Sequence, residues 1–171
     1  MVKVLGAVLL IGSASVIGFS MSAKLNLRVR SIRVILSMLG IMRAEIGQAL
    51  TPLPELFDKL VRIAPAPTDT FFKSCAEEMR KKSDVPFGII WQKELLRADY
   101  LGLRKEEEET LSELGNVLGR YRADEQVLAI SHSMRCLERI AETAERDKMR
   151  LGKTYAKLSI VCAVAVVIVF I

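Results

Sequence analysis

The sequence is poor in the residues that most often carry chemistry. Among its 171 residues it has a single histidine, His132, and only three cysteines. The cysteines, Cys75, Cys136 and Cys162, are scattered and odd in number, and their spacing fits neither a disulfide framework nor a zinc site. We therefore interpret them as small, mostly apolar side chains in a reducing compartment.

Recognisable catalytic motifs are missing as well. The chain has no phosphate-binding glycine loop, no HExxH pair and no nucleophile elbow. His132 lies between Ser131 and Ser133 on a predicted helix, where adjacent side chains point in different directions and do not form a nucleophile–base pair. The four glutamates at 106–109 would fan around a solvated helix start and not converge on a metal ion. We expect no enzyme activity, no cofactor and no metal site.

Strand-like alternation of apolar and polar residues is absent, and two helical stripes dominate the sequence. No proline lies between Asp124 and the C-terminus, and apolar residues recur there at steps of three and four from Val127 to Leu158. This is the pattern of a helix that packs lengthwise on another helix. A similar stripe from Ile32 to Leu50 predicts a long first helix.

Prolines and glycines divide the chain between these long helices into shorter ones. Their predicted starts are Thr51-Pro52, Thr68-Asp69, Ser83-Asp84 and the glutamates at 106–109, and Gly119 is the predicted C-cap of the last. The sequence therefore predicts an all-α fold, a bundle of five to six helices in which the first and last are the pillars.

Two long apolar runs lie at the ends of the chain. Residues 4–23 are twenty residues without a charge, and residues 158–171 are fourteen without a charge or an amide. A bilayer core about 30 Å thick needs about 20 apolar residues, so the second run is long enough only if residues 154–157 are included. We predict transmembrane helices at 1–23 and 154–171, with a helical domain at 24–153 between them.

Basic residues predict how this domain is oriented. Four cations follow the first apolar run and four precede or begin the second: Lys24, Arg28, Arg30, Arg33, Lys148, Arg150, Lys153 and Lys157. Because positive residues stay on the cytoplasmic side, we expect a two-pass protein with a cytoplasmic domain and both termini outside. These two clusters of cations beside the apolar runs also account for the net charge of +5, as charge at the membrane surface. We therefore expect no nucleic-acid partner.

Each apolar run has an alternative interpretation. The first could be a cleaved signal peptide, with Lys3 as its basic start and the small residues of Ser20-Met21-Ser22 as its cleavage site. Its length and the cluster of cations directly after it favour a retained anchor. The last run could be a buried core helix, but it ends the chain without a polar face.

Several short motifs occur in a specific order. They are LGAVLL near the N-terminus, Thr51-Pro52-Leu53 with Glu55, the lone Trp91, and LGNVLG at 114–119. Their order, their spacing and the length of the chain resemble the stage III sporulation protein AB family of endospore-forming bacteria. The resemblance covers the whole chain, with one departure: Arg122 stands where an acidic residue is expected, and Asp124 follows later.

The resemblance implies a fold and a role. The soluble domain would be similar to the cytoplasmic helical domain of type II secretion F platform proteins. The chain would be a non-enzymatic component of the export channel that links mother cell and forespore, in the outer forespore membrane on the mother-cell side. Its partners would be the cytoplasmic hexameric ATPase of the same operon, other channel membrane proteins and further copies of itself.

A partner-contact surface is predicted at the motifs that carry the resemblance. Its residues are Glu45, Thr51, Leu53, Glu55, Gly115 and Gly119. Thr51, Leu53 and the two glycines are also open to a simpler interpretation as helix caps and core residues. Two other functions compete: a membrane-anchored scaffold or signalling helix bundle unrelated to transport, and a membrane enzyme with His132 as its base.

Overall fold

Six α-helices make up the fold. The computed structural model describes the backbone of residues 2–81 and 84–170, and the side chains of residues 20, 22–81 and 84–150. The helices are α1 (Val2–Ala44), α2 (Leu53–Ile63), α3 (Thr68–Lys81), α4 (Phe87–Leu96), α5 (Lys105–Val117) and α6 (Ala123–Phe170). A π-helical turn (Glu45–Ala49) follows α1 and a 3₁₀ turn (Asp99–Leu101) follows α4. With no strand in the described backbone, the predicted all-α bundle is confirmed.

The two long helices are the antiparallel pillars of the bundle. Arg33 of α1 forms an ion pair with Glu145 of α6 at 2.7 Å. Further along α1, Gly40 lies beside Met134, and Gly47, in the π-helical turn that follows, lies beside Val127. Higher-numbered residues of α1 thus contact lower-numbered residues of α6, so the two helices are antiparallel. Both helices therefore lead to their apolar terminal runs at the same end. We call this the proximal end, and the opposite one the distal end.

The four short helices run alternately between these ends. Phe57 of α2 packs on Phe72 of α3, and Phe71 of α3 packs on Trp91 of α4. Trp91 in turn donates a hydrogen bond of 2.7 Å from Nε1 to the carbonyl oxygen of Leu111 in α5. The connections at 64–67 and 97–104 thus lie at the proximal end, whereas those at 45–52 and 118–122 lie at the distal end.

An aromatic cluster forms the centre of the core. Trp91 is 1% exposed, and its ring lies 4.9 Å from Phe71 and 6.2 Å from Phe57, measured between centroids. Phe57 also meets Phe87 at 5.0 Å. These edge-to-face contacts join α2, α3 and α4 into one layer, which packs through α5 and α1 onto α6. Trp91 is therefore a core residue.

Four details of the sequence prediction are wrong. The core stripe of α1 ends at Ile46 and does not reach Leu50, which is 71% exposed, because the π-helical turn and a left-handed residue end the helix. Two helix starts differ from the prediction: Pro52, and not Thr51, is the N-cap of α2, and Pro86 is the N-cap of α4, which begins at Phe87 and so later than predicted from Ser83-Asp84. Glu107 is not solvated but fully buried, because its carboxylate pairs with Arg28 at 2.5 Å.

The predicted membrane segments, 1–23 and 154–171, lie almost wholly outside the residues whose side chains are described. Within the part of the chain that is described, no helix is long and apolar enough to cross a membrane.

Candidate functional site

The six residues predicted to contact a partner gather toward the distal end of the bundle. Glu45, Thr51 and Leu53 lie in or just after the turn between α1 and α2, and Glu55 lies exposed in the first turn of α2. Gly115 and Gly119 lie in the last part of α5 and in the turn that follows it. Residues up to 74 positions apart in sequence thus form one region, which we call the distal face.

A polar network fixes the turn between α1 and α2. One carboxylate oxygen of Glu45, Oε2, accepts a hydrogen bond of 2.8 Å from the Lys59 ammonium and one of 2.5 Å from the Thr51 hydroxyl. The hydrogen bond from Lys59, followed by that from Thr51, lowers the pKa of the Glu45 carboxyl. The backbone N–H of Thr51 also donates to the Glu45 carbonyl at 3.1 Å. Glu45 and Thr51 therefore define the shape of this turn.

Leu50 is the residue of the distal face that the sequence pattern does not reveal. Its φ of 52° lies in the left-handed region, which is unfavourable for a leucine. Its backbone N–H still donates to the Glu45 carbonyl, so the π-helical turn closes on it. The side chain is 71% exposed. The chain thus tolerates both backbone strain and an exposed apolar group at this position, a combination that is frequent at contact sites.

Leu53 and Gly119 hold the α2 start against the turn between α5 and α6. Gly119 has a φ of 74°, and a Cβ atom on it would lie 2.7 Å from Cδ1 of Leu53. Its N–H donates to Oε1 of Gln126 at 3.1 Å, and Nε2 of Gln126 donates to the carbonyl of Tyr121 at 2.7 Å. The left-handed φ and the close approach of Leu53 both require glycine here.

Gly115 lets α4 and α5 approach closely. A Cβ atom at this position would lie 2.2 Å from Cδ1 of Trp91. One turn away along α4, a Cβ atom on Gly88 would lie 2.7 Å from the carbonyl oxygen of Gly115. Gly115 is buried and has no surface to offer a partner, so its contribution to the distal face is indirect.

Two shallow clefts flank the contact between Leu53 and Gly119. One, of about 180 Å³, is lined by Leu50, Thr51, Leu53, Ala123 and Gln126, among others. The other, of about 490 Å³, lies between the start of α4 and the turn after α5, and its lining includes Phe87, Gln92, Asn116, Gly119 and Arg120. Apart from the Thr51 hydroxyl and the Arg120 guanidinium, the named lining groups are apolar or amide, which suits docking of a protein segment more than acid–base chemistry.

The geometry around His132 does not support a Ser–His pair. The Ser131 hydroxyl donates to the carbonyl of Val127 at 2.7 Å, and Ser133 is buried in the bundle. The exposed imidazole lies beside the Cys136 thiol on the helix surface, with Nδ1 4.0 Å from Sγ. Among the described residues, no three His, Cys, Asp or Glu side chains converge as metal ligands.

Comparison with known proteins relates nearly the whole chain to one family. The family model described as stage III sporulation protein AB matches residues 3–171. The curated stage III sporulation protein AB of Bacillus subtilis (strain 168) is 30% identical over 164 residues, which cover 93% of this chain and 95% of that protein. A solved structure of stage III sporulation protein AB (SpoIIIAB) matches with a TM-score of 0.65 at 28% identity, over 70% of this chain and 94% of its own.

Proposed function

The chain belongs to the stage III sporulation protein AB family, and we propose that it is a non-enzymatic membrane platform of the sporulation channel between mother cell and forespore. Residues 1–23 and 154–171 anchor it in the outer forespore membrane. The domain at 24–153 lies in the mother-cell cytoplasm, and both termini lie on the other side. Its distal face engages the cytoplasmic hexameric ATPase of the same operon.

The antiparallel arrangement of α1 and α6 is the observation that best supports this proposal. Because both helices lead to their apolar runs at one end, a membrane at that end leaves the distal face as the part of the domain farthest from the bilayer. A large cytoplasmic ATPase would meet that face first. The turns there carry the exposed apolar side chains of Leu50 and Tyr121, and exposed Leu128 follows in α6. Exposed apolar groups of this kind are often covered by protein partners.

Within the distal face, the predicted residues divide by role. Glu45, Thr51, Leu53, Gly115 and Gly119 hold the turns in place, whereas Glu55 offers an exposed side chain, as does Leu50, which the sequence pattern did not identify. We propose that Leu50 and Glu55 make the direct contact and that the other five present them. Neighbouring Arg122, at the position where the family resemblance leads us to expect an acid, is also exposed and lies 3.5 Å from Asp124. It would adjust the charge of the same surface.

We expect Leu50→Asn and Glu55→Lys to weaken ATPase binding without loosening the fold. Asparagine tolerates the left-handed conformation better than leucine, so Leu50→Asn removes an apolar contact and also relieves backbone strain. For each variant we expect a loss of about tenfold in affinity, or about 1.4 kcal/mol, which is more than most interface residues contribute. The measurement is retention of the purified ATPase by the full-length, detergent-solubilised protein.

Glu138→Lys, which reverses an exposed charge in the middle of α6, is the matched control. It should retain the ATPase as well as the unchanged protein does. Failure of the unchanged protein to retain the ATPase above background would contradict direct engagement. If Glu138→Lys and Glu55→Lys reduced ATPase retention equally, the effect of Glu55→Lys would be one of nonspecific charge, and the contact would lie outside the distal face.

The competing scaffold hypothesis predicts long dimeric helices without a compact domain. The described residues instead form a core in which Phe57, Leu60, Leu101 and Leu111 are at most 1% exposed, with four short helices packed between the pillars. This compact domain favours the platform. The enzyme hypothesis based on His132 has no supporting geometry in the described part of the chain.

A further inference from the structure

The proximal end of the bundle carries two connections whose exposed surface is both apolar and basic. They are residues 62–66, from the last turn of α2 into the loop after it, and residues 96–105, from the end of α4 to the start of α5; together we call them the proximal edge. Leu96 is 80% exposed, Ile63 51% and Tyr100 37%. Large apolar side chains exposed together at one end of a domain mark a surface that something covers.

The two connections of the proximal edge are rich in cations. Its two stretches contain four cations, Arg62, Arg97, Arg104 and Lys105, and one acid, Asp99. Arg97 approaches Glu94 at 3.4 Å and Lys105 approaches Glu109 at 3.6 Å, yet their side chains remain 64% and 87% exposed. The distal connections, which include residues 81–86 between α3 and α4, hold four cations and four acids in residues 45–52, 81–86 and 118–126. The excess of positive charge is thus limited to the two proximal connections themselves, and the acids at 106–109 follow in the first turns of α5.

Contacts with α1 fix how far the proximal edge lies from the first apolar run, measured along the axis of that helix. Gly102 lies against Leu27: a Cβ atom on the glycine would be 3.4 Å from Cδ2 of the leucine. Leu27 is four residues beyond Ala23, the last residue of that run, which is about 6 Å along a helix. The headgroup layer on each side of a bilayer is of a similar thickness, about 5–8 Å.

Contacts within the domain hold the proximal edge rigidly at this distance. Arg28, one residue after Leu27, pairs with the buried Glu107 at the start of α5. The Glu107 carboxylate also accepts the backbone N–H of Arg104 at 3.0 Å. Burial of the Tyr100 ring, and then the nearby Cys75, Glu94 and Asp69, raise the pKa of its hydroxyl to about 12. Tyr100 is thus partly buried near groups of α3 and α4 and remains 37% exposed.

We propose that the proximal edge rests on the cytoplasmic leaflet of the membrane that anchors the chain. Leu96, Ile63 and Tyr100 enter the interfacial layer, and the arginines and the lysine bind phosphates of anionic phospholipids. Apolar side chains flanked by cations bind such surfaces through both the hydrophobic effect and charge. A domain held this way points its distal face straight away from the bilayer. This inference rests on the membrane anchoring proposed above.

Quenching by brominated lipid tests the contact in the full-length protein reconstituted into vesicles. Leu96→Trp places a fluorophore on the proximal edge, and Leu128→Trp places one at a comparably exposed position, 69%, near the distal end. Trp91, which is buried, gives the common baseline. In phosphatidylglycerol vesicles brominated near the head of the acyl chain, we expect blue-shifted and strongly quenched emission from the tryptophan at 96. Emission from the tryptophan at 128 should be unchanged.

Each arm of the experiment distinguishes one source of failure. Flotation of the protein with the vesicles shows whether the chain is anchored in the membrane. If the protein did not float with them, both the membrane anchoring and this inference would be contradicted. Flotation with equal quenching at positions 96 and 128, or with none at 96, would overturn this inference alone. The role of charge is tested by adding Arg97→Glu and Lys105→Glu to the Leu96→Trp variant. In phosphatidylglycerol vesicles, quenching of this triple variant should fall to the level that Leu96→Trp alone shows in phosphatidylcholine vesicles. If Leu96→Trp alone were quenched equally in both lipids, anionic headgroups would have no role in the contact.

Discussion

Gly115→Ala is expected to destabilise the bundle by about 3 kcal/mol, at the upper end of the usual cost of overpacking. The added methyl group would lie 2.2 Å from Cδ1, 2.8 Å from Cγ and 3.0 Å from Nε1 of Trp91. The indole has little room to move, because Phe57, Phe71 and Phe87 surround it and Nε1 is bonded to Leu111. Helices α4 and α5 would have to separate, which loosens the whole aromatic cluster.

Thermal unfolding of the full-length protein in detergent, followed by Trp91 fluorescence, measures this effect. Gly40→Ala is the matched control, since a Cβ atom on Gly40 would make only an ordinary contact of 3.8 Å with Met134. Within a helix, that change should stabilise the protein by roughly 0.5–1 kcal/mol. If both variants unfolded at the temperature of the unchanged protein, α4 and α5 would not pack as closely as described.

Loss of one partner of the Arg28–Glu107 pair is expected to be the other large effect. The two side chains are 6% and 0% exposed, and Nε and Nη2 of Arg28 lie 2.6 and 2.5 Å from Oε1 of Glu107. Glu107→Leu would leave a buried guanidinium without its counter-ion, which costs about 3–5 kcal/mol. It would also remove the acceptor for the Arg104 N–H at the start of α5.

A double substitution separates the charge from the packing. Arg28→Met with Glu107→Gln removes both charges and keeps an acceptor for the Arg104 N–H, so most of the lost stability should return. The exposed pair Arg33–Glu145 provides the control: Glu145→Gln should change the free energy of unfolding by less than about 1 kcal/mol. Comparable losses from Glu107→Leu and Glu145→Gln would contradict the burial of the first pair.

Helical periodicity predicts the pillars of the fold well, because burial along a helix repeats locally. In α6, the predicted stripe residues Ile130, Leu137, Ala141 and Ala144 are all buried. Periodicity does not reveal contacts between distant parts of the chain. Arg28 is predicted to be a membrane-surface cation, and Glu107 a solvated helix-start acid, yet they meet across 79 positions of sequence. Only the folded arrangement of α1 and α5 brings them together.

The candidate site was predictable to a similar extent. The sequence motifs identify Glu45, Thr51 and Gly119, whose polar and backbone requirements are local. Leu50 was missed because its stripe position predicts burial, and only the π-helical turn turns the side chain outward. The close contact between Leu53 and Gly119 likewise depends on tertiary packing. Local chemistry thus locates the distal face, and packing decides which of its residues are exposed.

Topology in living cells tests the central claim most directly. The full chain, with an epitope tag at each end, can be expressed in vegetative cells and treated with protease as spheroplasts. We predict that external protease removes both tags and leaves a protected fragment that contains residues 24–153, with Trp91 among them. Digestion of that domain from outside, or survival of either tag until the spheroplasts are lysed, would contradict a cytoplasmic domain anchored by membrane helices at both ends.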